Sequence, residues 1–307
     1  MPNNQKMKKR NTGRFSEERA YILISLPFLF FFFLFGILPV LSSMILSLFD
    51  YDMISSPVFN GMQNYTRMLF RDETFKTVLG NTLKFSVIAG PIGFLLAFLM
   101  AWMINEFPKK LRILLTFIFY APALSGNAYF LWQVFFSSDS YGYLNNLLIS
   151  VGFITAPISW FQNTSYNMTI VLIIYLWMSM GVAFLSNIAG LQNVSRDLYE
   201  AGAIDGVRTR WHELWYITLP SMKSILLFGA VMQIQSVFSV SGMITSLVGY
   251  PSVNNSVDML VSYISDVGTQ RYEMGYASTL SVFLFAVVLI FRFAVGGLLN
   301  LVGKSDR

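Results

Sequence analysis

The sequence is short of several residue types: cysteine is absent, histidine occurs once, and only 12% of the 307 residues are charged. The absence of cysteine excludes disulfides, thiolate metal sites and cysteine nucleophiles. A single histidine cannot supply the histidine pair of a metal site, and no nucleophile, base and oxyanion donor form a recognisable group. We therefore expect no catalytic residue, no metal site and no cofactor in this chain, and we do not expect it to be an enzyme.

Apolar residues take the place of the missing charge, since 55% of the chain is hydrophobic and 16% is aromatic. A typical soluble domain has roughly 25% charged residues. About 20 consecutive apolar residues in a helix cross a hydrocarbon layer about 30 Å thick. The sequence predicts an all-α membrane protein with about six transmembrane helices, at residues 20–49, 80–104, 111–136, 168–191, 221–248 and 274–302.

The basic residues are divided unequally between the two sides of these predicted helices. The N-terminal tail, the second and fourth connections and the C-terminus carry fifteen lysines and arginines, and the opposite side carries five. Lysine and arginine are retained preferentially on the cytoplasmic side of a membrane. We therefore predict a basic cytoplasmic tail at residues 1–19, a transmembrane domain at residues 20–303, and both termini in the cytoplasm.

Charged residues are scarce inside the predicted spans, where Arg292 is the only one well away from a span end. A carrier driven by protons or sodium often relies on a carboxylate at mid-membrane to couple the ion to its substrate. The sequence offers no such acid. We therefore expect that any energy for transport comes from a source outside this chain.

A polar insert, EAGAIDGVRTRWHELWYITLP at residues 200–220, interrupts the apolar pattern between the fourth and fifth spans. Its sequence predicts one short helix at residues 198–204, a stop at Gly206, and a second short helix at residues 208–215 before Pro220 begins the next span. The spacing alone leaves two interpretations open, an ordinary polar loop or a compact two-helix knob that contacts a partner.

The insert resembles the EAA loop in the membrane subunits of binding-protein-dependent ABC importers. The residues that carry the resemblance are Glu200-Ala201-Gly202, Gly206 after three more residues, and Ile217-Thr218-Leu219-Pro220. The segment PVFNGMQNYTRMLFRDETFKTVLGNTLKFS at residues 57–86 is similar to the carbohydrate branch of that family, the branch of the maltose and glycerol-phosphate permeases. The similarity extends over about residues 20–302.

The resemblance implies a type I ABC importer permease fold in a bacterial cell membrane, with a coupling loop at about residues 194–220. It also implies four kinds of partner: membrane lipid, a second homologous permease subunit, two cytoplasmic ATPases that bind ATP and Mg²⁺, and an extracytoplasmic solute-binding protein. No nucleic-acid partner is expected. The residues that the resemblance assigns to ATPase coupling are Glu200, Ala201, Gly202, Asp205, Gly206 and Arg208.

Two features of the insert depart from the family pattern. Gly202 replaces the second alanine of the EAA motif, and ten residues instead of the usual nine lie between Gly206 and Ile217. Glycine keeps the surface small, but it weakens a helix by about 1 kcal/mol relative to alanine. The extra residue is expected to re-aim the second short helix.

Polar residues on the fourth and fifth spans are candidates for the substrate pathway. Tyr175 and Ser179 are four residues apart, and Gln233 and Ser236 are three apart on a face that Val237 and Val240 continue. These groups could simply tie helices together. The resemblance assigns this part of the chain to a sugar site, and an aromatic face beside amide and hydroxyl groups suits a sugar.

Two other kinds of function remain open from the sequence. An importer of the same architecture could carry peptides or inorganic ions instead of a sugar or oligosaccharide. A membrane enzyme or scaffold could share the hydropathy pattern alone, although the sequence shows no catalytic group.

The predicted orientation can be tested with single cysteines, because the natural chain has none. Ser138 lies in the long connection at residues 137–167 and Ser195 lies at the start of the insert. A membrane-impermeant thiol reagent added outside intact cells should label Ser138→Cys and spare Ser195→Cys. Labelling of Ser195→Cys alone would reverse the topology.

Overall fold

The computed structural model describes residues 22–302, with side chains described as far as residue 297. The predicted basic tail at residues 1–19 lies outside the described residues. Contacts divide the described chain into two compact units. Unit 1 contains residues 22–66 and 267–282, and unit 2 contains residues 67–266 and 283–302.

Unit 1 combines a long apolar helix with a small hairpin. Its elements are α1 (Ile22–Leu46) with a π-helical turn at Phe33–Ile37, β1 (Phe49–Asp50), β2 (Val58–Phe59) and α2 (Gln63–Thr66). The strands pair antiparallel, with Phe49 opposite Phe59. Asn64 holds the end of α1 against the hairpin, because its amide donates to the carbonyl oxygens of Ser47 at 3.1 Å and Phe49 at 2.9 Å.

Unit 2 is almost entirely helical. A π-helical turn at Arg67–Arg71 precedes α3 (Glu73–Asn105), α4 (Lys109–Ser125), α5 (Phe130–Phe135), α6 (Tyr143–Ser150), α7 (Asn167–Met178), α8 (Val182–Asn193), α9 (Arg196–Ile204), α10 (Arg210–Glu213, extended by a π-helical turn at Leu214–Thr218 and by Leu219–Ser221), α11 (Lys223–Phe238), α12 (Ser241–Val248), a 3₁₀ turn at Val253–Asn255 and α13 (Leu260–Ser265). A π-helical turn at Asp266–Gln270 follows α13, and the last helix, α14 (Met274–Val302), continues from unit 1 into unit 2.

The core of unit 2 lies where α3, α8 and α11 pack together. Small residues permit this close packing, since Ala97 and Ala101 of α3 are fully buried. A Cβ atom at Gly190 of α8 would lie 2.8 Å from Met222 Cε and 2.9 Å from Ile225 Cδ1. Glycine at position 190 therefore lets the start of α11 cross α8 closely.

Most of the predicted spans correspond to continuous or nearly continuous helical stretches. Within residues 22–302, five stretches are long and apolar enough to cross a membrane: Ile22–Leu46, Glu73–Asn105, Asn167–Asn193, Lys223–Val248 and Met274–Gly297. The second begins seven residues earlier than predicted, because Asp72 caps α3 by accepting the N–H of Phe75 at 2.9 Å.

The predicted span at residues 111–136 is divided into α4 and α5. Gly126 has a φ of 66°, the left-handed conformation that ends a helix, and α5 starts only at Phe130. The 17 residues of α4 have a length of about 25 Å at 1.5 Å per residue. Within residues 22–302 the architecture is therefore all-α, with five candidate spans and a sixth predicted span that is divided at Gly126. Two of the five, Asn167–Asn193 and Lys223–Val248, each contain a short break.

The loop between α12 and α13 is fixed to α3 on the side opposite the insert. The Asn81 amide donates to the carbonyl oxygens of Asn255 at 2.6 Å and Asp258 at 3.2 Å. The Asp258 side chain is buried, and both its oxygens accept the Ser252 N–H at 3.1 Å. Burial raises the pKa of the Asp258 carboxyl above its usual value.

Candidate functional site

The four predicted pathway residues line one cavity in unit 2. Tyr175 and Ser179 at the end of α7, and Gln233 and Ser236 on α11, surround a space of about 470 Å³. Tyr175, Ser179 and Gln233 are buried within the chain, whereas Ser236 is exposed. The structure therefore brings together side chains from two predicted spans, although it does not test their role.

Two breaks in the helices lie at this cavity. α7 ends at Met178 and α8 begins at Val182, while α11 ends at Phe238 and α12 begins at Ser241. The residues of the breaks that line the cavity are Ser179, Gly181, Ser239 and Val240. Irregular backbone at membrane depth is tolerated where it is buried in protein or lines a cavity. The helix breaks therefore mark the same site as the polar side chains.

Three of the lining side chains are connected by hydrogen bonds. The Gln233 amide donates to the Tyr175 hydroxyl at 3.0 Å, and that hydroxyl donates to the Ser236 hydroxyl at 3.4 Å. The Tyr175 ring also packs edge-on against Phe85, with 5.2 Å between ring centroids. The wall thus offers amide and hydroxyl groups next to an aromatic ring, an arrangement that suits a ligand with both hydroxyl groups and an apolar face.

Gly93 on α3 leaves space for the Gln233 amide, and the sequence alone did not indicate this role. A Cβ atom at position 93 would overlap the Gln233 amide nitrogen and would lie 3.4 Å from Ser179 Oγ. The position of Gln233 therefore depends on a residue without a side chain on a third helix. The only signal in the sequence is a glycine inside a long apolar helix, where it weakens the helix relative to alanine.

The cavity is lined by more of α11 than the predicted face. Val240 lines the cavity, as expected, but Val237 is buried in the hydrophobic core and does not line it. Gln235 does line the cavity, although it is two residues from Gln233 and so does not share its face on a regular helix. The cavity lies at a helix end, where more than one face is accessible, and a single-face pattern could not identify Gln235.

The polar insert forms two short helices, as predicted. α9 and α10 are separated by Gly206, whose φ of 93° ends the first helix. The exposed members of the predicted coupling set are Glu200, Ala201, Asp205, Gly206 and Arg208. The apolar side chains of Leu198 and Ile204 on α9 are also 47% and 86% exposed, respectively. The insert therefore presents a mixed acidic and apolar surface.

Gly202, the first departure from the EAA pattern, is explained by packing between the two short helices. A Cβ atom at position 202 would lie 2.6 Å from Ile217 Cδ1 and 3.7 Å from Val207 Cβ. Ile217 is largely buried. Glycine at position 202 therefore lets the Ile217 side chain pack directly on the α9 backbone.

The extra residue between Gly206 and Ile217 coincides with a π-helical turn at Leu214–Thr218. The N–H of Leu219 donates to the carbonyl oxygen of Leu214, five residues back instead of four. A π-helical turn holds one more residue than an α-helical turn at the same length of helix. The turn therefore provides a local place for the extra residue. That the residue re-aims the second short helix stays a prediction.

Arg210 and two tryptophans attach the insert to the end of α3. The Arg210 guanidinium lies 3.2 Å from a Glu106 oxygen and 2.7 Å from a Glu213 oxygen. The hydrogen bond to Glu213 raises the pKa of Arg210. The ring of Trp211 also packs on that of Trp102, with 5.3 Å between centroids. Arg210 is not among the residues that the resemblance assigns to ATPase coupling, and these contacts give it a role inside the chain.

The chain is similar to known transport proteins over most of its length. The lactose transport system permease protein LacF of Rhizobium radiobacter is 31% identical over 299 residues, which cover 92% of this chain and 96% of LacF. The arabinooligosaccharides transport system permease protein AraP of Bacillus subtilis is 29% identical over 282 residues, which cover 90% of this chain and 87% of AraP. No protein-family profile matches the sequence.

A solved structure shares the fold. A chain from the crystal structure of a bacterial alginate ABC transporter, in complex with an alginate pentasaccharide-bound periplasmic protein, superposes with a TM-score of 0.77 at 23% sequence identity. The match covers 94% of this chain and 98% of that chain. The predicted fold class is confirmed.

The π-helical turn predicts that a single deletion in the insert is tolerated. Deleting Tyr216, which is exposed, should convert Leu214–Thr218 to a regular α-helical turn and keep the flanking residues in register. Deleting Phe228 from α11 is the matched control, because it removes an exposed residue from a regular helix and rotates Gln233 by about 100°.

Thermal unfolding of the purified protein in detergent measures the difference. The Tyr216 deletion should keep the Tm within about 3 °C of the parent, whereas the Phe228 deletion should prevent recovery of folded protein. An equally large loss in both variants would contradict the assignment of the extra residue to the π-helical turn.

Proposed function

This chain belongs to the family of sugar ABC transporter permeases, and from that premise we propose how it recognises its substrate and how it is coupled to an energy source. It is a multi-pass membrane protein and a transmembrane subunit of an importer. We propose that the cavity between α7, α8, α11 and α12 is its sugar site. The observation that carries this proposal is the coincidence of two helix breaks with the hydrogen-bonded Tyr175, Gln233 and Ser236.

The chemistry of the cavity supports a sugar over a charged substrate. Its described lining residues are tyrosine, serine, glutamine, methionine, glycine, alanine and valine, and none is charged. An inorganic ion or a peptide terminus would lose its hydration there without gaining a counter-charge, which is costly. A neutral saccharide needs no counter-charge, and its hydroxyl groups can pair with the amide and hydroxyl groups of the wall. Relatives named for transport of lactose, arabinooligosaccharides and trehalose or maltose support the same substrate class.

The proposed assembly follows the architecture of the family. A periplasmic protein with bound pentasaccharide is part of the alginate transporter structure, which supports delivery of substrate to this chain by a solute-binding protein. We propose that a second, homologous permease subunit forms the other half of the pathway, and that two cytoplasmic ATPases bind ATP and Mg²⁺ and hydrolyse the ATP. The complex would lie in a bacterial cell membrane, with both termini of this chain in the cytoplasm.

The insert is proposed to dock into a cleft of one ATPase. Glu200 is exposed on the same short helix as the apolar side chains of Leu198 and Ile204. A carboxylate held in a protein cleft can form a charge-assisted contact with a basic group, and such a contact is stronger than an ion pair exposed to water. The apolar side chains would gain burial in the same contact.

The proposed sugar site can be tested by substituting Gly93, the glycine that contacts the Gln233 amide. Gly93→Ala should displace the Gln233 amide and reduce sugar uptake at least tenfold, because the Cβ atom would overlap that amide. Gly90→Ala is the matched control: a Cβ atom there meets nothing within 4 Å, and uptake should remain within about twofold of the parent.

Gln233→Ala and Tyr175→Ala should also lower uptake, because each removes a member of the hydrogen-bond chain. Uptake of radiolabelled lactose, maltose, trehalose and arabinooligosaccharides into vesicles that contain the whole complex is the measurement. Co-purification of the partner subunits confirms assembly. Unchanged uptake in Gly93→Ala, Gln233→Ala and Tyr175→Ala would assign these residues a structural role only.

The coupling role of the insert can be tested at Glu200 and Gly206. Glu200→Lys reverses the charge of an exposed side chain, and Gly206→Val places a β-branched residue at a φ of 93°. Both variants should abolish ATP-dependent uptake, either by releasing the ATPase or by leaving it bound without coupling. His212→Ala, on the exposed face of α10, should have a milder effect.

Co-purification of the ATPase, followed by uptake in energised vesicles, separates loss of docking from loss of coupling. Normal uptake by both Glu200→Lys and Gly206→Val would refute the assignment of the insert to coupling.

A further inference from the structure

Asn187 on α8 is a buried amide that lacks hydrogen bonds. Its side chain has no exposed surface, and neither its oxygen nor its nitrogen has a hydrogen-bond partner among the described residues. Polar groups buried in this way are rare, because an unpaired amide has lost its bonds to water without replacement. Asparagine can tie membrane helices together, but only where it has a partner on the next helix.

Asn187 lies one helical turn from the cavity. On α8, Ala183 lines the cavity and Asn187 follows it by four residues, so both side chains are on the same face. On α11, Gly229 precedes the cavity residue Gln233 by four residues. A Cβ atom at Gly229 would lie 3.7 Å from Asn187 Oδ1 and 3.8 Å from Ala183 Cβ. Because α8 leads into the insert and α11 leaves it, this position is closer to the insert than the cavity is.

Residues of three helices meet beside Asn187. Besides Ala183 and the backbone of Gly229, the ring of Phe94 on α3 lies at the same place, 3.7 Å from the Cβ position of Gly229. At this point α8 and α11 face each other with Ala183 and Gly229, whose side chains are no larger than a methyl group. A small separation of α8 from α11 would join Asn187 to the cavity.

We propose that Asn187 is a second binding position for the sugar on its way through the chain, reached after the substrate leaves the Tyr175 and Gln233 cavity. Its amide would pair with saccharide hydroxyl groups when α8 and α11 separate, and it is covered in the conformation described above. This inference rests on the proposed function of the cavity. It explains why an amide without partners is kept in the core of unit 2, where an apolar residue would pack without loss of hydrogen bonds.

The test compares stability with transport at one position. Asn187→Leu keeps the number and branching of the side-chain heavy atoms and removes the unpaired amide, so the Tm of the purified complex should rise by roughly 2 °C. Asn187→Ser replaces the amide with a smaller polar group, a hydroxyl, and leaves a small void, so the Tm should fall. Uptake should follow the opposite order: the maximal rate should fall at least tenfold in Asn187→Leu and less in Asn187→Ser, with the apparent KM unchanged in both.

Asn145→Leu is the control for stability. Asn145 is also fully buried, but its amide donates to the carbonyl oxygens of Ser137, Asp139 and Ile158 and accepts from Ile158 N–H and Trp160 Nε1–H. Replacing this satisfied asparagine should lower the Tm by several degrees. Comparing the Tm changes of Asn187→Leu and Asn145→Leu therefore shows whether the missing hydrogen bonds of Asn187 lower the stability of the parent protein.

Transport is measured with radiolabelled lactose, maltose, trehalose and arabinooligosaccharides in vesicles that contain the whole complex. If the parent complex takes up none of them, the proposed sugar function fails together with this inference. If the parent transports one of them and Asn187→Leu transports it at the same rate, the inference alone fails. A lower Tm in Asn187→Leu would also overturn it, because the amide would then have a structural role.

Discussion

The hydrogen-bonding demand of the backbone in a hydrocarbon layer organises unit 2. Each unpaired N–H or C=O in that layer costs several kcal/mol, so the membrane-spanning chain must be helical except where protein or a cavity surrounds it. The breaks at residues 179–181 and 239–240 meet this condition, because both line the same cavity. The constraint that keeps the other spans regular therefore concentrates irregular backbone, hydroxyl groups and the Gln233 amide in one place.

Very short linkers connect the insert to α8 and α11, two of the helices that line the cavity. Only Val194 and Ser195 separate α8 from α9, and only Met222 separates α10 from α11. Met222 is buried, and its side chain lies close to Gly190 on α8. A displacement of the insert therefore acts directly on α8 and α11, the two helices whose contact covers Asn187. This arrangement gives the proposed coupling a physical route from the ATPase to the sugar path.

Much of the architecture follows from local rules, and the remainder does not. Apolar length predicts the spans, and Gly206 together with the polar composition predicts the two short helices of the insert. The spacing of polar residues along two spans selected Tyr175, Ser179, Gln233 and Ser236 as candidates. In the structure, all four line one cavity. The cavity position of Gln235 and the contact of Gly93 with Gln233 depend on neighbouring helices. Periodicity within one segment carries no information about such neighbours.

Two buried amides at and near the cavity differ in their hydrogen bonding. Gln233 lies against Gly93 and is paired with Tyr175, whereas Asn187 lies against Gly229 and is unpaired. A Cβ atom at Gly93 would overlap the Gln233 amide, whereas a Cβ atom at Gly229 would be in ordinary contact with Asn187 Oδ1, at 3.7 Å. A paired amide holds a fixed geometry, which suits recognition. An unpaired amide raises the energy of the covered conformation and would be stabilised by a hydroxyl-bearing ligand, so it favours opening of α8 from α11 when a sugar is present.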